Sequence, residues 1–180
     1  THVSDGADFQ HTMTLITTQY EKLGAEQGSY LKQVFEPSIR GGMKTKKWDI
    51  IPYVDFGAED FDKGITMFYD PPRYSSGYAA LFHTYAFISE THMLKPYLHR
   101  VQSTYDLIET IVQSSSVHAI ELISKRKAER IREKNEELVL GWKAKSETTD
   151  SFYFKGYELK DTISAATGLI RKWYDHSRHY

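Results

Sequence analysis

The sequence Y-D-P-P-R-Y-S-S-G-Y-A-A-L-F-H-T-Y-A-F-I-S-E-T-H-M-L-K, Tyr69–Lys95, carries the features that best predict the fold. A proline-stiffened loop opens it, and a small-residue segment leads to the short apolar run Ala86–Ser89, which we predict to be a buried strand. Glu90 ends that run. A carboxylate at the C-terminal end of a buried strand must be paired or solvated in a cleft, and open α/β sheets bind their ligands there. A functional Glu90 is therefore one interpretation, and an ion pair with Arg73 or Lys95 is the other.

Strand and helix patterns alternate around this stretch. The predicted strands are His11–Thr18, Trp48–Val54 and Ile65–Tyr69. The predicted helices are Gln19–Glu36, Ser75–Phe82 and a long helix from Pro96. Pro37 and the Gly41-Gly42 pair are expected to end the first of them. The long helix has an apolar stripe at Leu98, Val101, Tyr105, Ile108 and Val112. This alternation predicts an α/β fold in which a mostly parallel or mixed sheet is flanked by helices.

The character of the chain changes after Ser114-Ser115-Ser116. His118–Trp142 is helical in pattern but crowded with charge, which predicts a solvated helix. Ser151–Tyr157 alternates like a strand, and the final W-Y-D-H-S-R-H-Y is read as strand or irregular tail. We therefore predict a core region over residues 1–115 and a helical and short β extension over residues 116–180.

Composition narrows the functional classes. The 180 residues carry a net charge of -1 and no long basic patch, so nothing favours nucleic acid as a partner. The longest apolar run is too short to span a membrane. There is no cysteine, which excludes disulfides and thiolate metal sites within this chain. No G-x-S-x-G elbow or phosphate-binding glycine loop is present, so serine hydrolase and nucleotide-binding functions lose support.

Eight histidines without a cysteine favour a metal site of imidazole and carboxylate ligands. His118 and Glu121 have the H-x-x-E spacing that brings two ligands to one helix face, although Glu121 is more simply explained by pairing with Lys125. His176 and His179 lie near the end of the sequence and are more simply explained as solvated.

Two further histidines lie near carboxylates. Glu90 and His92 place an acid and an imidazole together at a strand end. His2 stands in a short polar segment before a strand and is uninformative taken alone.

Three motifs together resemble one protein family. H-V-S-D-G-A-D-F-Q at His2–Gln10, Y-D-P-P-R-Y-S-S-G-Y-A-A-L at Tyr69–Leu81, and I-S-E-T-H-M-L-K-P-Y at Ile88–Tyr97 resemble the C-terminal half of bacterial carboxypeptidase A-like zinc metallocarboxypeptidases. The resemblance implies that these motifs belong to an incomplete copy of that fold. It also implies that the protein acts on peptide substrates with zinc as cofactor. It also implies a periplasmic or secreted protein.

The resemblance assigns roles to individual residues. His2 is similar to the third zinc ligand of the family, and Glu90 to the general base that activates the attacking water. Tyr69 matches the tyrosine that covers the substrate, with Tyr74 as the alternative, and Arg73 is a candidate for binding the substrate carboxylate through its planar guanidinium.

The chain also departs from the family. The H-x-x-E zinc pair and the substrate-clamping arginines that should precede His2 are absent, and the His118–Glu121 pair follows Glu90, which is the wrong order. The opening Thr1–Asp8 has neither an initiating methionine nor a helix cap, and we interpret the sequence as a piece of a longer protein. We expect this piece to bind zinc weakly or not at all and to be inactive alone.

Two other functions of the same fold stay open. The chain could be a non-enzymatic module that binds peptide or glycan, or one that binds a protein partner through its tyrosine-rich surface. A cut sheet edge near Thr1 would present unpaired backbone groups, and homo-oligomerisation is one way to cover such an edge.

Overall fold

A computed structural model describes residues 2–4, 8–55, 66–67, 70–133, 139, 141–143, 147 and 150–179. The strands are β1 (His2–Ser4), β2 (Met13–Thr17), β3 (Ile51–Pro52), β4 (Val54–Asp55), β5 (Thr66–Met67), β6 (Phe87–His92), β7 (Tyr157–Ile163) and β8 (Ile170–His179). The helices are α1 (Ala25–Tyr30), α2 (Glu36–Thr45), α3 (Ser75–Ala80), α4 (Tyr97–Val117) and α5 (Ala119–Glu133). A 3-10 turn at Tyr20–Leu23 precedes α1, and a π-helical turn at Leu31–Phe35 joins α1 to α2.

The main sheet has the strand order β1-β6-β2-β3. Strand β6 is parallel to β1 and antiparallel to β2, and β2 is parallel to β3. Two antiparallel pairs, β4 with β5 and β7 with β8, form separate small sheets. The mixed sheet and its helices confirm the α/β class.

The strand that carries Glu90 is longer than the sequence suggested. We predicted that it would end at Ser89, but β6 continues to His92. Thr91 is buried and is paired with Val3 of β1 and Met13 of β2. Because ladders on both sides hold this part of the chain, Glu90 lies within a central strand and not beyond its end.

The predicted helix end at Pro37 and Gly41-Gly42 is also wrong, because α2 runs from Glu36 to Thr45. Pro37 lies in the first turn of α2, where a missing N–H costs little. Gly42 faces α4, and a Cβ on it would lie 2.6 Å from Cγ2 of Thr110. This glycine therefore permits close packing of α2 and α4 and does not terminate the helix.

The hydrophobic core lies between the sheet and the helical segment from Tyr20 to Thr45, with one contribution from α4. Its buried members are Met13, Leu15, Leu23, Leu31, Phe35, Ile39, Met43, Ile50 and Leu107. The apolar stripe predicted for α4 is not part of this core, since all five of its residues are exposed. No helix in the described ranges is both long and apolar enough to cross a membrane.

The predicted strand Ser151–Tyr157 is largely wrong, because residues 151–156 have no regular structure and β7 begins at Tyr157. This segment is instead attached to the loop before β2. The Gln10 N–H donates to the Lys155 carbonyl at 2.9 Å, and Gln10 Nε2 donates to the Gly156 carbonyl at 2.8 Å. The final residues form β8, so they are a strand and not an irregular tail. The division at residue 115 stays a prediction.

Buried His11 completes this attachment. Its Nε2 accepts the Lys155 N–H at 3.0 Å, so its Nδ1–H donates to the Asp49 carbonyl at 3.0 Å. These two hydrogen bonds together require the neutral form of the His11 ring. Burial lowers the pKa of His11 below its usual value of 6.5, against the raising effect of the Asp49 hydrogen bond.

The lowered pKa predicts a loss of stability in mild acid. As the pH falls below about 6.5, the histidine of the unfolded chain binds a proton before the folded one does, so unfolding is favoured. We expect the free energy of unfolding, measured by urea titration, to fall between pH 7.5 and 5.5, and His11→Gln to reduce that slope. His99→Gln, at an exposed histidine of α4, is the control. An unchanged slope in His11→Gln would contradict the prediction.

Candidate functional site

The site assigned by the resemblance lies on two neighbouring strands of the main sheet. In the parallel ladder of β1 and β6, His2 is the register partner of Glu90. The two residues are far apart in sequence, and the fold places their backbones side by side.

Glu90 is half-buried and faces β2 on its other side, where Thr14 is its register partner. Thr14 is buried, and its hydroxyl has no hydrogen-bond partner within the described part of the chain. A buried hydroxyl without a partner costs free energy, which is most easily tolerated where a further polar group or ligand completes the site. Sequence reasoning did not identify Thr14, because a threonine inside a strand pattern is also an ordinary β-former.

His92 shares the face of Glu90 but is part of the packing. It is 1% exposed, and the edge of its ring meets Phe9 at a centroid distance of 5.1 Å. Its Nδ1 accepts the N–H of Leu94 at 3.2 Å. These contacts favour a structural role in the turn after β6 over the acid–imidazole pair considered from the sequence.

The loop with the predicted substrate-binding residues precedes α3, which packs against β6. Arg73 and Tyr74 are exposed, and the Arg73 guanidinium lies 4.8 Å from the centroid of the Tyr74 ring. Tyr69 lies outside the described residues. The structure therefore provides an accessible guanidinium and phenol at the positions that the resemblance assigns to substrate.

Asp70 anchors this loop. It is 1% exposed, and its carboxylate accepts the hydroxyl of Ser76 in α3. Burial raises the pKa of Asp70, while Lys22 and the Gly77 N–H oppose the rise. Lys22 also donates to the Asp70 carbonyl. The start of α3 is therefore stabilised by Asp70.

The other predicted metal pairs have different partners. His118 Nδ1 is hydrogen-bonded to the Tyr30 hydroxyl at 2.9 Å, and Glu121 is exposed on α5. His179 Nε2 donates to the His176 carbonyl at 2.8 Å. Among the residues that the structure describes, no three histidine, aspartate or glutamate side chains converge to hold a metal ion.

His176 belongs to a polar cluster that sequence reasoning missed. Its Nε2 lies 2.5 Å from Oδ2 of buried Asp8, and Lys95 Nζ lies 3.5 Å from Oδ1 of the same carboxylate. The Tyr157 ring lies against His176 at a centroid distance of 4.3 Å. Burial, with a smaller contribution from the Asp8 charge, raises the pKa of Tyr157.

This cluster connects the segment after β1, the turn after β6 and the C-terminal hairpin. Its members lie far apart in sequence, so no local pattern predicts their contact. The prediction that the terminal histidines are merely solvated is therefore incomplete, because His176 has a buried acidic partner.

Comparisons of this chain with models of protein families, with curated proteins and with solved structures found no match. The carboxypeptidase resemblance consequently rests on the three motifs themselves.

Proposed function

We propose that this chain forms one side of the active site of a zinc-dependent metallocarboxypeptidase-like peptidase, which hydrolyses C-terminal peptide bonds or related amide bonds. The observation that carries the proposal is the pairing of His2 with Glu90 across β1 and β6. The motifs that assign one residue to zinc and the other to proton transfer come from separate parts of the sequence. Their adjacency is what a shared site requires.

Glu90 suits a general base in this proposal. It is half-buried on a central strand held by ladders on both sides, so its backbone position is fixed. A carboxylate held in this way can accept the proton of an attacking water and return it to the leaving amine. The buried Thr14 hydroxyl beside it is available to orient a polar group in the same place.

The residues present do not complete a zinc site. Catalytic zinc takes three protein ligands, and His2 is the one ligand that the resemblance identifies among the described residues. Zinc, when bound, would supply a Lewis acid for the scissile carbonyl. The remaining ligands would have to come from other polypeptide.

Arg73 and Tyr74 are proposed to contact the peptide substrate. Arg73 is exposed, and its guanidinium can donate two parallel hydrogen bonds to a terminal carboxylate. The Asp70 anchor keeps the backbone of this loop next to α3, and α3 packs against the strand that carries Glu90. Tyr69 remains a proposed substrate residue on the motif alone.

The sequence preceding His2 in the intact gene offers a direct test. An H-x-x-E pair well upstream would supply the two missing zinc ligands, and it would favour the peptidase over a peptide- or glycan-binding module. Its absence would refute the proposed enzyme, because a single histidine is too few ligands for catalytic zinc.

Metal content gives a second test. We expect the 180-residue chain to retain much less than one zinc per molecule after dialysis, because affinity depends on the number and geometry of ligands. In the intact protein, His2→Ala should lower zinc affinity about 10-fold or more, while exposed His99→Ala leaves it unchanged. Stoichiometric zinc on the 180-residue chain would contradict this expectation and direct attention to His118, Glu121 and the terminal histidines.

A further inference from the structure

The strap, defined as residues 151–156, has no regular structure and leads into the C-terminal hairpin of β7 and β8. Hydrogen bonds to Gln10 and His11 hold it against the loop before β2. The Phe154 ring adds contacts, with centroid distances of 5.9 Å to Phe9 and 5.8 Å to His11. Because the strap itself forms no ladder with a strand of the described chain, its attachment depends on these contacts and is open to local release.

His11 is the titratable member of this attachment, and its two partners fix its protonation state. The Asp49 carbonyl, 3.0 Å from Nδ1, only accepts, so Nδ1 carries the proton of the ring. The Lys155 N–H, 3.0 Å from Nε2, only donates, so Nε2 carries no proton. A second proton on the ring would point at the hydrogen of the Lys155 amide and turn the hydrogen bond into a repulsive contact. Because His11 is only 3% exposed, water does not replace the lost bond while the strap is attached.

The groups around His11 oppose its protonation on balance. Burial is the largest effect and lowers the pKa of His11, and the positive charges of Lys155 and Lys95 act in the same direction. The carbonyl and the carboxylate of Asp49 act in the opposite direction but are outweighed. That carboxylate is already paired with Lys155 Nζ at 2.6 Å. A histidine freed by departure of the strap therefore binds a proton more readily than His11 does beneath it.

We propose that mild acid releases the strap from the loop before β2 while β7 and β8 remain attached to the core. The far end of the hairpin responds to acid in the opposite sense. His176 Nε2 lies 2.5 Å from Oδ2 of buried Asp8, and a protonated His176 is attracted more strongly to that carboxylate. Lys95 faces the same carboxylate at 3.5 Å, and Tyr157, whose ring lies against His176, stays neutral because its pKa is raised. Acid thus loosens one attachment and tightens the other, and neither effect depends on the peptidase proposal.

Backbone hydrogen exchange, measured by NMR between pH 7 and 5.5, tests the proposal on the 180-residue chain. The Lys155 and Gln10 amides both take part in the attachment. We expect their protection factors to fall about four- to eightfold over this range, because each release takes up one proton and a free histidine titrates near pH 6.5. They should also be at least about tenfold lower than those of the most protected β2 amides, since local release does not require global unfolding. Overhauser contacts between Lys95 and Tyr157 should persist at pH 5.5.

Matched variants separate the two histidines of the hairpin attachment. His11→Gln keeps a neutral side chain that donates and accepts but removes the titration, so the fall in protection should disappear, whereas His176→Gln should retain it. Protection at Lys155 that is independent of pH, or equal to that of β2 at every pH, would overturn the proposal. So would an undiminished fall in His11→Gln, or loss of the contacts between Lys95 and Tyr157 in acid, which would mean that the whole hairpin leaves. The wild-type measurements decide the question by themselves if His11→Gln fails to fold.

Discussion

Under the proposed function, Glu90→Gln is expected to reduce peptide hydrolysis about 10²- to 10⁴-fold, the range attributed to a positioned general base. Glutamine is nearly isosteric with glutamate and can occupy the same half-buried position in β6, but it cannot accept the proton of the attacking water. The assay is release of the C-terminal residue from a short peptide under saturating conditions. The expected loss is therefore in kcat.

Two controls separate chemistry from structure. Zinc content should be unchanged in Glu90→Gln, because the proposal gives that residue proton transfer and gives metal binding to His2. Glu121→Gln makes the same chemical change on the exposed face of α5 and should retain full activity. Wild-type turnover in Glu90→Gln would refute the base assignment, whereas loss of both activity and zinc would indicate that Glu90 is a ligand.

The α/β class was predictable because local sequence patterns indicate which segments are strands and which are helices. His11–Thr18 has the β-branched alternation of a strand and contains β2, and the short helix and the long helix after Pro96 were also located correctly. The boundaries of β6 were not predictable in the same way. Thr91 and His92 become strand residues through pairing with Val3, Ser4 and Met13, and none of those neighbours is local in sequence.

Helix α4 shows a different limit. The sequence periodicity correctly predicted an apolar stripe along α4. Periodicity does not indicate whether such a stripe faces the core of the same domain. The core side of α4 is set by close contacts with α2, where Gly42 admits Thr110. A stripe of serine, leucine and threonine therefore packs inward while the more apolar stripe remains outside.

The candidate site was only partly visible for similar reasons. Glu90 drew attention because an acid beside an apolar run is unusual, and His2 was identified through the family motif alone. The buried Thr14 hydroxyl and the Asp8–His176 pair depend on contacts between distant segments. Such contacts are set by strand register and hairpin docking, on which single-residue patterns carry no information.

Gly77→Ala is expected to destabilise the fold by about 1–3 kcal/mol, the usual cost of forcing an extra group into a packed site. Gly77 lies in α3, and an added Cβ would sit 2.3 Å from the Asp70 carbonyl oxygen and 2.4 Å from that of Pro71. Both obstacles are backbone atoms, so the loop itself must shift. This cost should exceed the roughly 1 kcal/mol that alanine gains over glycine in a helix.

The matched control for this prediction is Gly41→Ala in α2, where an added Cβ would meet nothing within 4 Å. Helix propensity alone then applies, and urea titration should show a gain of about 0.5–1 kcal/mol. The two alanine substitutions are thus expected to change the stability in opposite directions, because only the one at Gly77 clashes with backbone carbonyl oxygens. Equal or greater stability of Gly77→Ala would mean that the Asp70–Pro71 backbone does not hold its position against α3. The same shift would displace Arg73 and Tyr74, so under the proposed function Gly77→Ala should also raise KM for peptides, whereas Gly41→Ala should not.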